Sequence, residues 1–421
     1  MPGFKAPIGT RDVLPPESGR WEALLATFAR HAERAGYGLL QTPAFEDVGV
    51  FQRLGEGTDV VRKEMYDFED KGGRRIALRP EVTASVVRAF VEHRPPAPWK
   101  VWTATPCFRY ERPQAGRLRQ HHQVDIEAIG SGDPDVDVEV IAVGHDYLRS
   151  LGLRQVSLLI NSMGTPDDRQ AYVDVLRDWL ARHRDDLDPD DRDRIESHPM
   201  RVLDSKREAT IEATEGAPRL VDHLSAAPDA HFDRVKEGLA SLHIEYVVEP
   251  RLVRGFDYYT HTTFEFQSTA LDTAQSTVLG GGRYDGLVEE LGGPPTPGIG
   301  FGAGIERMLL ACDAEGVFGA SEPRIDVWVV DVTGGSAARD LTTALRRAGV
   351  RADRNFDGRS MRAQMKKADA SGARLALIIG EQELSDGTVT FRSLRGSIGG
   401  DQVPVPRDQV VDQLKQILPR R

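Results

Sequence analysis

FRYERPQAGRLRQHHQVDIE, residues 108–127, is the stretch on which the reading of this chain turns. It holds four arginines, Arg109, Arg112, Arg117 and Arg119, followed by the imidazoles of His121 and His122. β-like runs flank its polar loop, over 100–110 and 123–129. In the second run Val124, Ile126 and Ala128 alternate strictly with Asp125 and Glu127. The pattern predicts a strand–loop–strand hairpin with a long charged tip. Period-two geometry places Arg109 and Glu111 on one strand face, and Gln123, Asp125 and Glu127 on one face of the return strand. Cations facing acceptors across a hairpin make a poor core and a good polar pocket. A guanidinium there can grip phosphate through two parallel hydrogen bonds. For an arginine-rich loop taken alone, a salt-bridged surface hairpin is the alternative.

Upstream, residues 1–17 are rich in Gly and Pro and read as an extended arm. Trp21, Leu24, Leu25, Phe28 and Ala29 then follow the spacing of a buried helix face, which Gly36 and Gly38 end. Short strand-like pieces run to about residue 80. A helix is expected over 81–93, after Pro80, with Glu81 and Thr83 as its caps. Downstream of the hairpin, a helix is expected over 135–151. Residues 166–243 carry an acidic run (185–193) and few strand signals, and read as a mostly helical insertion. Strands resume at 244–248, 262–266 and 276–279, and the segment 298–302 leads into a helix carrying Ile305, Met308 and Leu309.

The composition shifts again near 321–323. The order beyond is strand (325–332), helix (336–348), a short strand near 350, helix (360–370), strands (375–379 and 388–394) and helix (407–418). The unbroken apolar run LALII at 375–379 suits a strand buried on both faces. This is a small α/β domain. It carries 17 Lys and Arg against 12 Asp and Glu over 324–421, while the rest of the chain carries 37 against 53. A basic module on an acidic body invites a nucleic-acid partner, with a solvated face as the plain alternative. The expected division is therefore 1–165 and 244–320 as two parts of one domain, 166–243 as an insertion, and 324–421 as a separate module.

With net charge −11, overall charge does not hold this chain on nucleic acid. Its two cysteines, Cys107 and Cys312, are too few for a disulfide framework and show no CxxC zinc spacing, so no zinc is expected. They suit a reducing compartment. The start, MPGFKAPIGTRDVLPPE, has no apolar signal core, and no apolar run approaches the roughly 20 residues of a membrane helix. A soluble, cytoplasmic protein without a membrane partner is expected.

Four further stretches concentrate chemistry. LVRGFDYYTHTTFEF (252–266) gathers Arg254, Asp257, Tyr258, Tyr259, His261 and Glu265 around Gly255. LGGGRYD (279–285) follows a strand, and its glycines let a ligand lie against the backbone; a simple turn is the alternative. GIGFGAGIER (298–307) is no dinucleotide fingerprint, because Pro294, Pro295 and Pro297 stand where a strand would be needed. Its alternating Gly300 and Gly302 suggest a strand lying flat under a planar ligand, with Arg307 in the next helix. RPEVT (79–83) is a strand-to-helix junction whose carboxylate could also meet a ligand amine. No GxxxxGK[ST] loop occurs.

Together and in order, these five stretches resemble class II aminoacyl-tRNA synthetases and, within them, the histidyl-tRNA synthetase family. The arginine-rich hairpin is similar to class II motif 2, and 298–309 to motif 3 with Arg307 as its arginine. LVRGFDYYTH and GGGRYDGL resemble the two blocks that set the histidine enzymes apart, and GTRDVLPPE also matches. The resemblance covers nearly the whole chain. It implies an α+β fold: an antiparallel sheet flanked by helices, with a helical insertion and a C-terminal α/β anticodon-binding domain. It also implies a homodimer.

The implied ligase activates L-histidine with ATP to histidyl-adenylate and pyrophosphate, then passes histidine to the 3′ end of tRNA(His). Arg109 and Arg254 would be catalytic. ATP would meet Arg109 at the α-phosphate, Glu111, and Arg307 at the γ-phosphate, with Mg2+ only as companion of the phosphates. Arg254 would stabilise charge in the transition state. L-Histidine would be held by Glu81, Thr83, Gln123, Glu127, Tyr258 and Tyr259, and the tRNA acceptor end approached by Arg112 and Gln114. Adenylate formation needs positioning and cations more than covalent help, which suits these residues. A pocket built on hydrogen bonds can reject analogues by about 10⁴–10⁵ without editing, so the insertion is not expected to edit. The family usually has Gly where this chain has Val82, and a modest effect on the pocket is expected. A second reading is the non-catalytic regulatory subunit of ATP phosphoribosyltransferase, which resembles this fold and binds histidine. It typically lacks the C-terminal module and the arginine matched by Arg254.

Overall fold

The computed structural model describes residues 3–53, 60–203, 205, 207–253, 258–271, 276–319, 325–356, 358–395 and 402–418. The chain divides into two compact units, Met1–Gly319 and Ala320–Arg421.

In the first unit the strands are β1 (Gly38–Leu39), β2 (Phe45–Asp47), β3 (Tyr66–Glu69), β4 (Arg75–Leu78), β5 (Trp99–Phe108), β6 (Gln120–Ile129), β7 (Val156–Ser162), β8 (Val247–Val248), β9 (Thr260–Ser268), β10 (Thr277–Arg283) and β11 (Gly298–Gly304). Eight of them form one sheet in the order β1-β5-β6-β11-β10-β9-β7-β8, and β2-β4-β3 form a small second sheet. The large sheet is antiparallel from β5 to β7 and parallel only at its two edges. The alternating run 123–129 lies in β6, paired with β5 as the expected hairpin, and the sheet around it is the antiparallel one that the resemblance implies.

The alternation sorts the two faces. Val124, Ile126 and Ala128 of β6 join Trp102, Phe264, Phe266, Leu279 and Phe301 in an apolar layer. The helices Glu17–Arg34, Pro134–Ser150, Ala226–Ser241 and Ile305–Glu315 cover that layer through Leu24, Phe28, Ile141, Tyr147, Phe232, Val235, Met308 and Cys312. Asp125 and Glu127 point to the opposite face, and both are buried. The first β-run ends at Phe108, so Arg109 and Glu111 stand past the strand and not on it.

The helical stretch beginning at Pro166–Arg182 opens with a capping box, in which the Thr165 side chain and Asp168 exchange hydrogen bonds with each other's backbone N–H. Tyr172, Leu176, Leu180, Leu187, Ile195 and Val202 share one apolar cluster with Val82, Val86 and Val87 of the 81–93 region. Within the acidic run, Asp191 is wholly buried. It accepts hydrogen bonds from Ser205 at 2.5 Å and Thr210 at 2.9 Å and pairs with Arg207 at 2.7 Å. One member of the run is thus an internal hub, not part of a solvated face.

The second unit is a five-stranded sheet. Its strands are β12 (Val327–Asp331), β13 (Ala352–Arg354), β14 (Leu375–Ile379), β15 (Thr388–Ser393) and β16 (Val403–Pro406), in the order β13-β12-β14-β15-β16. β13, β12 and β14 are parallel, and LALII of β14 is buried throughout. β16 is absent from the sequence reading because VPVP carries two prolines. It forms because it is an edge strand, where a missing N–H costs no ladder bond. A short helix, Glu381–Asp386, was likewise not expected.

Candidate active site

On the polar face of the large sheet lies a group of buried carboxylates. Glu81 precedes the helix Thr83–His93 and caps it. Its carboxylate accepts from the backbone N–H of Thr83 at 2.9 Å and of Ala84 at 2.8 Å. The Thr83 hydroxyl donates to Glu127 Oε1 at 2.7 Å, and the Tyr284 hydroxyl donates to Glu127 Oε2 at 2.6 Å. Asp125, one pleat away on β6, accepts from Thr103 and from Gln123 Nε2. Tyr258 and Tyr259 lie against one another with ring centres 4.6 Å apart, and Tyr258 meets Tyr284 edge-on at 6.2 Å.

Burial pushes the acids up: Glu81 to about 7 and Glu127 to about 8. Asp125 is raised by burial and by its neighbour Glu127. Burial raises them although Arg109 acts on Glu81 and Arg79 on Asp125, and a ligand ammonium beside Glu81 and Glu127 would add a further cation.

Next to this group is a cleft of about 370 Å³ lined by Arg109, Glu111, Arg117, His121, Gln123, Glu265 and Arg307, among others. Arg109 is anchored by its Nε, which donates to the Pro80 carbonyl at 2.8 Å. Arg117 pairs with Glu111 at 2.8 Å. Arg307 donates to the carbonyls of Gly116 at 3.3 Å and Thr277 at 3.1 Å. Burial and the nearby Arg117 lower its affinity for its proton, the mark of crowded guanidiniums. Burial, with Arg109 close by, depresses His121 to about 3, so its ring is neutral. Glu306 does not offset these cations freely, since it accepts from the backbone N–H and ring of His122. A cleft with crowded arginines fits a polyanion.

The glycines of β11 act differently from the sequence expectation. A Cβ on Gly300 would collide with the Glu127 carboxylate. One on Gly302 would meet Asp125 Oδ1 at 2.6 Å and clash with the Gln123 amide. The two glycines make room for β6 side chains lying across the strand, not directly for a planar ligand. Gly304, which lines the cleft, does leave open space.

Of the residues singled out from the sequence, Glu81, Thr83 and Glu127 are joined by hydrogen bonds, and Tyr258 and Tyr259 pack with Tyr284 beside them. Arg109, Glu111, Gln123 and Arg307 line the cleft. Arg112 and Gln114 are exposed on the hairpin tip, where Gln114 and Arg117 close a tight turn through reciprocal backbone bonds of 3.0 Å. Arg254 lies outside the described residues. Arg119 is not in the cleft; it stacks on the Tyr110 ring at 3.8 Å. Val82 has φ −104° and a buried side chain, so its backbone does not need glycine.

The sequence reading gave no ligand role to Tyr284, Asp125 or Arg117, although it placed Asp125 on the polar face of the hairpin and Arg117 in its tip. The GGGRYD stretch held the signal for the first, and the β6 alternation for the second. It also missed Arg283, which is fully buried against Asp137 and donates to the Ser131 carbonyl at 2.9 Å. That contact fixes the end of β10 beside Tyr284.

Known proteins resemble this chain over nearly its whole length. The family profile "Histidyl-tRNA synthetase" matches residues 9–308, and "Anticodon binding domain" matches residues 326–417. A histidine–tRNA ligase of Rhodococcus erythropolis is 49% identical over 421 residues, covering 99% of this chain and 98% of its own. One from Thermosynechococcus vestitus is 46% identical, covering 98% and 96%. The crystal structure of apo Staphylococcus aureus histidyl-tRNA synthetase superposes with a TM-score of 0.82 at 36% identity, covering 98% of this chain and all of that one. The chain belongs to the histidyl-tRNA synthetase family.

Proposed function

We propose that this chain is a histidine–tRNA ligase, a class II aminoacyl-tRNA synthetase. The observation that carries the reading is the junction on one sheet face of a buried carboxylate pocket (Glu81, Glu127) with a guanidinium cleft (Arg109, Arg117, Arg307). An amino acid and a nucleoside triphosphate need such a pair of sites side by side.

The ammonium of L-histidine meets Glu81 and Glu127, with Thr83 and Gln123 completing its hydrogen bonds. Tyr258, Tyr259 and Tyr284 wall the imidazole. Arg109 holds the α-phosphate of ATP and Arg307 the γ-phosphate, with Glu111 keeping Arg109 and Arg117 apart. A carboxylate oxygen of L-histidine then attacks the α-phosphorus, and the bond to the pyrophosphate oxygen breaks. Charge developing on the phosphate is met by cations fixed in advance, so little reorganisation is needed. Arg254 is assigned to the same charge by resemblance. A hydroxyl at the 3′ end of tRNA, approached by Arg112 and Gln114, then attacks the histidyl carbonyl, the acyl–phosphate bond breaks and AMP leaves, while 324–421 meets the anticodon.

Among the described residues no group of three or more His, Cys, Asp or Glu could hold a metal ion. Mg2+ is assigned to the ATP phosphates, where it would neutralise charge. Among the same residues no helix is long and apolar enough to cross a membrane. A homodimer in the cytoplasm is the assembly this reading carries.

Charging of a tRNA(His) transcript with labelled histidine tests it. Histidine-specific acceptance is expected, whereas histidine binding without acceptance would return the regulatory-subunit reading.

A further inference from the structure

We propose that Asp125 is a positioning residue that sets the orientation of the Gln123 carboxamide, and through it the histidine subsite. The inference rests on the function proposed above for the same site. A carboxamide has two nearly isosteric orientations, and only one presents its oxygen to a given neighbour. Here Gln123 Nε2 donates to Asp125 Oδ1 at 3.1 Å, and Gln123 Oε1 faces His121 Nε2 at 3.3 Å. Both Asp125 oxygens are acceptors here, Oδ2 from the Thr103 hydroxyl and Oδ1 from Gln123, so Asp125 takes the NH2 end of the carboxamide. The oxygen is thereby turned toward His121, on the side of the cleft, where it can accept from a ligand N–H.

The surroundings hold Asp125 to this task. It is 3% exposed. Its other oxygen accepts from the Thr103 hydroxyl at 3.2 Å. Gln123 and His121 line the cleft with Arg109 and Arg307, whereas Asp125 is not among the lining residues. Asp125 therefore acts through Gln123 and does not touch the ligand. Gly302 faces Asp125 in the β6–β11 register, and any side chain there would strike both Asp125 and Gln123. Residue 302 is thus shaped around this pair.

The test compares Asp125→Asn and Asp125→Leu with the unchanged full chain. Asparagine keeps an oxygen for the Gln123 NH2 and can turn its own NH2 to the Thr103 oxygen. Leucine keeps the branched shape, removes both acceptor oxygens and leaves the amide free to flip. In histidine-dependent ATP–pyrophosphate exchange, Asp125→Leu is expected to raise the KM for histidine about 10-fold with the KM for ATP within about twofold, the size of one misplaced hydrogen bond. Asp125→Asn is expected to stay within about threefold of the parent on the same scale. Combining Asp125→Leu with Gln123→Leu should add nothing to Gln123→Leu alone.

Equal losses in the Asn and Leu variants would overturn the proposal in favour of a direct charge effect. A harmless Asp125→Leu, or additive losses, would overturn it too. A readout free of turnover separates this from failure of the ligase reading. The side-chain NH2 resonances of Gln123, assigned by their loss in Gln123→Leu, should be shifted and slow to exchange in the parent and in Asp125→Asn, and averaged in Asp125→Leu. Unchanged resonances in Asp125→Leu overturn the positioning role whatever the enzyme's substrate. Absence of exchange activity in the parent overturns the ligase reading alone.

Discussion

Replacing Glu127 by glutamine separates what the buried carboxylate costs the fold from what it does for a ligand. Glu127 is 1% exposed and rises from the ordinary 4.5 to about 8, first through burial. At about 1.4 kcal/mol per pH unit this rise corresponds to roughly 5 kcal/mol. The sign follows from proton counting. Between pH 4.5 and about 8 the folded chain holds a proton here that the unfolded chain has lost. The stabilisation is complete below the unfolded value and is lost as pH climbs through the folded one. Glutamine has no proton to lose, and its amide can still meet the hydroxyls of Thr83 and Tyr284, which rotate to accept or donate. Asp125, which Glu127 helps to raise, ionises more easily in the variant and adds to the difference in the same direction.

Urea unfolding of the ligand-free proteins, followed through tryptophan fluorescence, should therefore show a variant within about 1 kcal/mol of the parent near pH 5. Near pH 8.5 the variant should be more stable by several kcal/mol, up to about 5. Near pH 8.5, where Glu127 is largely ionised, the variant should bind histidine about 10–100-fold more weakly, the worth of a hydrogen bond to a charged group, and near pH 5 the difference should shrink. Parallel stability curves across this range would refute the reasoning, because Glu127 would then already be ionised at the acid end.

Three further outcomes follow from the same geometry. Tyr284→Phe removes the donor to Glu127 Oε2. It should raise the KM for histidine about 10-fold with little change for ATP, read in steady-state kinetics. Arg307→Gln takes one guanidinium from the cleft and should raise the KM for ATP about 10–100-fold while histidine binding, measured by calorimetry without ATP, is retained. Arg283→Met leaves buried Asp137 with His231, at 2.8 Å, but without its guanidinium, and should lower stability by about 3 kcal/mol in urea unfolding, while Arg283→Met with Asp137→Leu should recover much of that loss.

What could be read from the sequence depended on periodicity. Val124, Ile126 and Ala128 against Asp125 and Glu127 marked a strand with one apolar and one polar face, and the sheet bears this out. The LALII run was legible because a strand buried on both faces needs no polar alternation. VPVP was not legible, since only its place at a sheet edge makes two prolines tolerable. Arg109, Gln123 and Arg307 stood out because clustered charge in a hairpin and behind a glycine-rich strand is unusual. Tyr284 did not, because a lone tyrosine after GGGR is as good a core residue as a ligand contact until its hydroxyl is found on Glu127. The role of Gly300 and Gly302 was equally hidden. Which side chain fills the space above a glycine depends on the register of the neighbouring strand, here β6. Asp191 shows the converse: its setting in an acidic run concealed a buried, fully partnered carboxylate.

The central claim is that the carboxylate pocket and the guanidinium cleft together activate histidine. Histidine-dependent ATP–pyrophosphate exchange by the purified protein, with proline and glycine as controls, tests it most directly. Exchange with histidine alone is the predicted result. No exchange from a folded protein that binds histidine, or exchange driven equally by proline or glycine, would contradict it.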